Sequence, residues 1–205
     1  MIDLYTAGTG NGHRAALALE ESGLAYRAHK LNLAAGDQRK PEYLAVNPAG
    51  TIPAIVDHEG PGGKPLAIAQ SGAIALYVAE KSGRLLPKDP ARRATALHWL
   101  MFACTDCAVT GGTIFQLANN APEKSPSSVK FLEDRLVGFF RVCARRLAGR
   151  EFLADEFSVA DLALFPVASM RKAMIEAAGG MPNLLAWIAR VGARPAIAKG
   201  MTVSV

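Results

Sequence analysis

The 205-residue chain has only three cysteines, an odd number, which argues against the paired framework that holds small secreted domains together. A reducing, cytoplasmic compartment is the expectation. It has no low-complexity tract, and with half its residues hydrophobic and a fifth charged it is not a disordered chain. No uninterrupted apolar run approaches the roughly 20 residues of a membrane span. At the amino end, Asp3 and the glycines at 8, 10 and 12 cut the apolar start shorter than a leader's core. Neither a membrane nor a signal peptide is expected. The net charge is +5, yet the basic residues fall in scattered pairs such as Arg39-Lys40, Arg92-Arg93 and Arg145-Arg146. No stripe of basic and aromatic residues alternates, so nucleic acid is not an expected partner. The basic balance suits anionic ligands instead.

What is present divides into two kinds of pattern. Residues 1–5 read as a strand, 6–12 as a glycine-dense turn, 13–22 as a helix ended by Gly23, and 26–33 as a second, half-buried strand. A strand–helix–strand start implies a parallel pair with a right-handed crossover. Further on, Pro53 opens a short apolar run; it cannot donate to a ladder, so it belongs at a strand's start or edge. The gap at 59–63 is too short for a crossover and predicts a hairpin to the apolar run 65–69. Ser71 is the expected N-cap of the next helix, which Gly83 stops. Residues 1–81 therefore predict an α/β domain with a small mixed sheet, and 82–90 a linker. Residues 91–205 predict an all-helical domain, with one long helix at 91–117 and an amphipathic one at 127–147. Ser158-Val159-Ala160-Asp161 has the form of a capping box with Asp in place of Glu.

That domain order, together with three motifs, resembles the glutathione transferase family. "NPAGTIPAIVD" at 47–57 resembles its proline loop, "QSGAIALYVAE" at 70–80 its third helix, and "FSVADLAL" at 157–164 the capping box of its helical domain. The opening "YTAGTGNGHRAALALEE" is similar to nu-class members, also described as glutathione-dependent disulfide-bond oxidoreductases. The resemblance spans essentially the whole chain. It implies a thioredoxin-like N-terminal domain, an all-helical C-terminal domain, and glutathione as co-substrate with no metal. The partner would be a small hydrophobic electrophile or a disulfide, and the assembly a homodimer.

It also implies roles for particular residues. Thr9 and Asn11 would hydrogen-bond the glutathione thiolate, since a thiol of pKa about 8.5 is mostly protonated at neutral pH without help. By type alone both are also ordinary turn and cap residues. A cis bond before Pro53 would turn the backbone of Ile52 toward the ligand's cysteinyl backbone, in the manner of an added strand. Gln70 and Ser71, at a helix entry, would take the carboxylate of the γ-glutamyl end. Gln38 and Lys40 would reach the glycyl carboxylate. The chain departs from the subgroup at Gly8 and Gly10, where proline is usual, at Gln70 in place of Glu, and at Phe131 in place of an arginine. Those departures leave room for an alternative, a non-catalytic binding or regulatory protein on the same fold.

Cys104-Thr105-Asp106-Cys107 has CxxC spacing, which suits either a metal or a redox pair. It has no second CxxC and no nearby pair of histidines, so zinc is not expected. A redox pair belongs at the helix after the first strand, and that place holds Thr9 to Gly12. Packing is the expected role of Cys104 and Cys107, and Cys143 is expected in the core.

Overall fold

The structure is a computed structural model that describes residues 1–203. The chain forms two compact units, Met1–Leu86 with Gly192–Val205, and Pro87–Val191.

In the first unit β1 (Ile2–Thr6) leads into α1 (Gly10–Ser22) and then β2 (Tyr26–Lys30). A four-residue helix, α2 (Pro41–Leu44), precedes β3 (Ala54–Asp57), β4 (Leu66–Ala69) and α3 (Ser71–Ser82). The sheet order is β2-β1-β3-β4, with β1 and β2 parallel and the other pairs antiparallel. The expected crossover and hairpin are both present. Leu4, Leu17, Leu19, Ile55 and Ile74 are solvent-inaccessible where the sheet meets α1 and α3. β2 departs from the expected alternation: it ends at Lys30, and its five residues are half-buried or exposed without a period of two. The reason is its place at the sheet edge, where one neighbour is missing.

Two polar ties fasten this unit. Asp57 is buried and accepts hydrogen bonds from Tyr77 Oη at 2.5 Å and from Lys81 Nζ, joining β3 to α3. Burial pushes its carboxyl up, but the Lys81 and Tyr77 bonds more than offset that and hold it below the ordinary value. The second tie explains why Gly192–Val205 groups here although it follows the helical segments in sequence. The guanidinium of Arg194 grips Glu21 of α1 through two bonds of 2.6 and 2.8 Å. The last helix, α10 (Pro195–Gly200), buries Ile197 and lays Gly200 against Leu17, where a methyl group would lie 2.7 Å from the leucine side chain. The helical region assigned from sequence to 91–205 thus returns to the first unit at its end.

Between α3 and α10 lie the remaining helices: α4 (Pro90–Met101), α5 (Val109–Asn119), α6 (Pro126–Arg146), α7 (Val159–Ser169), α8 (Lys172–Ala178) and α9 (Pro182–Gly192). A π-helical stretch, Phe102–Ala108, joins α4 to α5, so that Pro90–Asn119 is continuous. This helix is long and apolar enough to cross a membrane, and 33% of its most apolar 18-residue stretch is buried. The absence of unbroken apolar runs from the sequence did not anticipate it. Every residue of α7 from Val159 to Ala168 is buried. The expected capping box forms: Asp161 accepts from Ser158 N at 3.1 Å, and also from Leu153 N at 3.1 Å and Trp187 Nε1 at 2.8 Å.

The π stretch carries both cysteines of the CxxC motif. Cys107 and Cys143 are both solvent-inaccessible, whereas Cys104 is half-exposed, so the two thiols of the motif look to different surroundings. Cys107 instead meets Cys143 on α6, and the hydrogen bond between them, with burial, raises the Cys143 thiol well above its ordinary value. None of the three is in a disulfide.

Gly111 and Gly112 differ in their surroundings. Arg171 Nη2 donates to Gly111 O at 2.6 Å, and a methyl group on Gly111 would lie 2.9 Å from the guanidinium, while Gly112 has nothing within 4 Å. Alanine is about 1 kcal/mol better than glycine inside a helix. Gly112→Ala should therefore stabilise by up to about 1 kcal/mol. Gly111→Ala should destabilise by roughly 0.5–2 kcal/mol, because displacing Arg171 forfeits a charged hydrogen bond worth about 1.5–3 kcal/mol. Urea midpoints of the two variants check the opposite signs.

Asp161 generates a pH prediction. Burial raises its carboxyl from 3.8 to about 6, against the pull of Trp187 and the backbone N–H donors. The folded state therefore holds this proton more tightly than the unfolded one. The associated stabilisation is full below about pH 4 and is lost as pH rises through about 6. His13, whose value burial lowers, has the opposite slope near neutrality, so the test is a difference between proteins. The stability of wild type relative to Asp161→Asn should fall by on the order of 2–3 kcal/mol between pH 4 and pH 7. A pH-independent difference in the denaturation midpoints would refute it.

Candidate functional site

The turn from β1 into α1 is built on a close approach. A Cβ on Gly12 would fall 2.1 Å from Ala7 O and 2.7 Å from Thr6 Oγ1, so only glycine fits. With the backbone drawn in this far, Thr9 becomes the N-cap of α1, its Oγ1 accepting from Gly12 N at 3.1 Å. Accepting that bond leaves the hydroxyl proton of Thr9 to be donated elsewhere. Asn11 comes next, exposed in the first turn, with its Oδ1 accepting from Arg14 Nη1 at 2.8 Å and its N–H2 group not used in that bond. The first turn of α1 holds no acidic residue, so the positive end of the helix dipole is not neutralised locally.

Arg14 carries the arrangement to a second element. Its side chain is 1% exposed, and the same Nη1 donates to Ser71 Oγ at 2.6 Å, 57 residues away at the start of α3. Ser71 is buried and is the first residue of the helix; the N-cap position expected for it belongs to Gln70, which makes no side-chain cap. Gln70 is exposed and holds φ 71°, ψ 113°, a conformation that costs a non-glycine residue about 1–3 kcal/mol. Sequence reasoning missed both Arg14 and this strained backbone. A long-range bond leaves no local period to read, and Gln is not a residue that signals positive φ.

The proline loop supplies a third edge. The Ile52-Pro53 bond is cis, and buried Pro53 immediately precedes β3, at the strand start expected for it. The loop is pinned at Thr51 O, which accepts from Tyr43 Oη and from Asn47 Nδ2, both at 2.6 Å. Asn47 was visible in the sequence as part of the motif; Tyr43, on α2, was not singled out.

The loop after β2 behaves differently. Lys40 is exposed and pairs with Asp37 at 2.8 Å. Gln38 Nε2 donates to Leu33 O at 3.4 Å, and its Oε1 is buried with no protein partner among the described residues. The Lys40 ammonium and the Gln38 N–H2 group thus bond within their own loop. A cavity of about 460 Å³ opens between this loop and the β1–α1 turn, lined by Gly8, Thr9, Leu31, Leu33, Lys30 and Asp37 among others. Of the sequence-predicted residues only Thr9 lines it. Thr9, Asn11 and Ser71 are drawn together through α1 and Arg14, whereas Gln38 and Lys40 stand on a separate loop.

Among the described residues no group of three or more His, Cys, Asp or Glu is arranged to hold a metal. In the second unit Phe131, where the nu-like pattern has arginine, is 67% exposed on α6, and Lys130 beside it pairs with Asp134.

Comparison with known proteins places the chain in a family. The family profile described as Glutathione S-transferase, N-terminal domain, matches residues 11–81, and the corresponding C-terminal domain profile matches residues 111–200. Disulfide-bond oxidoreductase YfcG of Escherichia coli K12 is 37% identical over 98% of this chain and 94% of its own length. Disulfide-bond oxidoreductase YghU of the same organism is 31% identical over 99% of this chain and 75% of its own. Among solved structures, a glutathione transferase from Pseudomonas putida with one glutathione disulfide bound per subunit superposes with a TM-score of 0.92. It is 33% identical and covers 100% of this chain and 92% of its own. Another, from Burkholderia graminis with two glutathione molecules per subunit, gives 0.91 at 33% identity, covering 98% and 87%. The chain belongs to the glutathione S-transferase family.

Proposed function

We propose that the chain is a glutathione-dependent enzyme, a transferase or disulfide-bond oxidoreductase, that binds glutathione across the N-terminal ends of α1 and α3. The observation that carries this reading is the state of Thr9 and Asn11. Each has its acceptor oxygen engaged by the protein and retains a donor for a ligand, at a helix end that favours negative charge. The thiol of glutathione releases its proton to solvent, and the thiolate is held by Thr9 Oγ1–H and the Asn11 N–H2. The sulfur then attacks either an electrophilic carbon, forming a thioether as a leaving group departs with the bonding electron pair, or a disulfide. In the second case one S–S bond forms to glutathione as the other breaks, and the leaving sulfur departs as a thiolate. No protein cysteine takes part. Ile52 offers main-chain groups to the cysteinyl portion, and Gln70 with Ser71 receives the γ-glutamyl carboxylate. Gln38 and Lys40 take the glycyl carboxylate once the Lys40–Asp37 pair opens. A cytoplasmic setting is part of the same reading, in keeping with three unbridged cysteines.

The test is a set of steady-state rates on a glutathione-linked disulfide and on an electrophilic acceptor. A hydrogen bond to a charged group is worth about 1.5–3 kcal/mol, and each 1.36 kcal/mol is about tenfold in rate. Asn11→Ala should therefore lower turnover by roughly 10- to 100-fold, and Thr9→Val by less. Cys104→Ser and Cys107→Ser should retain most activity. A folded but inactive cysteine variant beside an unaffected Asn11→Ala would overturn the mechanism.

A two-fold homodimer belongs to the same proposal. Met101, Val109 and Phe115 are 45, 59 and 56% exposed on the long helix Pro90–Asn119, an apolar surface that an isologous contact would cover. Light scattering at micromolar concentration should return twice the 21.7 kDa chain mass. A mass equal to one chain would reject the assembly.

A further inference from the structure

We propose that Arg14 is a positioning residue that sets the hydrogen-bond polarity of the glutathione site, turning the acceptor atoms of Asn11 and Ser71 inward so that both present donors to the ligand. The inference rests on the reading of Thr9, Asn11 and Ser71 as that site. A guanidinium has only donors, so whatever it bonds must answer with an acceptor. Its Nη1 carries two hydrogens, and the two bonds, 2.8 Å to Asn11 Oδ1 and 2.6 Å to Ser71 Oγ, account for both. An exposed amide is otherwise free to present either its oxygen or its nitrogen to a ligand. Asn11 is not free, because reversing it would set N–H2 against a cation that only donates. The same holds for Ser71: with its oxygen accepting from Arg14, its own proton turns away from the cation. The two elements that would meet the sulfur and the γ-glutamyl carboxylate are thus made donors by one side chain.

Arginine fits this task through its burial as well as its hydrogens. At 1% exposure the charge is poorly screened by water, so it adds a fixed attraction for both anionic ends of the ligand. Because its two bonds tie α1 to α3 across 57 residues, it also fixes the spacing between the thiolate and carboxylate ends. The site needs no group that titrates near neutrality to become anion-selective.

The experiment compares two ligands that share the γ-glutamyl carboxylate and differ at sulfur: glutathione sulfonate, anionic there, and S-methylglutathione, neutral there. Loss common to both reads the Ser71 arm, and the difference between them reads the Asn11 arm. Arg14→Met should weaken glutathione sulfonate by about 10- to 100-fold, the size expected of charged hydrogen bonds, and S-methylglutathione by several-fold less. The thiol of bound glutathione, followed by its ultraviolet thiolate absorbance against pH, should rise by about one pKa unit or more. Arg14→Lys, which keeps charge and donors on one nitrogen, should restore most of the discrimination. A folded Arg14→Met that weakens both ligands equally and leaves the thiol titration unchanged would reduce Arg14 to a structural residue and overturn the proposal. Asn11, being exposed, supplies a variant that does not depend on the core. Asn11→Asp keeps an acceptor for Arg14 but turns an oxygen outward, and should bind the sulfonate more weakly than Asn11→Ala; equal or tighter binding overturns the proposal as well. If the wild-type protein binds neither ligand, it is the glutathione reading that has failed.

Discussion

A methyl group has no room at Gly12. Its Cβ would stand 2.1 Å from Ala7 O, and that close approach decides how the chain continues. Because the backbone folds back on the end of β1 here, the helix must begin at once, and Thr9 is left at its cap. The register of α1 is then fixed, so Asn11 points to solvent and Arg14, three residues on, points under it. Three residue types common in any turn thereby become a capped helix end with outward donors. The chemistry proposed for the site depends on this turn more than on any one functional side chain.

The two units each bury a carboxylate, and comparing them shows what decides its ionisation. Asp57 and Asp161 are both solvent-inaccessible, and burial pushes both upward. Asp57 has a cation, Lys81, and a phenol, and ends below the ordinary value. Asp161 has an indole N–H, backbone N–H groups and a serine, all neutral, and ends near 6. Neutral donors solvate a buried charge only partly. Asp57 therefore works as one half of an ion pair holding β3 to α3. Asp161 works as a hub that collects otherwise unsatisfied donors of the α7 start and Trp187.

Features encoded within three or four residues were legible in the sequence. The Ser158–Asp161 box, the strand-opening Pro53 and the turn holding Thr9 and Asn11 are of this kind, since their partners lie nearby in the chain. The domain order was legible too, because it depends on the lengths of the gaps between elements. Distant partners set the features that escaped. Arg14 answers to Ser71 across 57 residues, Tyr43 holds the carbonyl of Thr51, and Cys107 meets Cys143 on α6. Arg194 likewise returns the chain end to Glu21. The alternation assigned to β2 failed for a related reason: an apolar–polar period speaks of two covered and uncovered faces, and it cannot report that a strand is an edge.

The site that results keeps its charge pattern constant across the ordinary working range of pH. The donors of Thr9 and Asn11 do not titrate there, and a guanidinium stays protonated. His13, beside them on α1, is 4% exposed, and burial lowers its value below that of an ordinary histidine, which favours the neutral ring near pH 7. A neutral imidazole adds no charge to the site. The one group in such a site whose charge changes near neutrality is therefore the sulfur of the ligand itself. A protein that carried its own thiolate would have to protect it from oxidation between turnovers. On the proposed reading, outward donors and a buried cation take the place of a protein thiolate, and the reactive atom belongs to a small molecule that arrives and departs with each cycle.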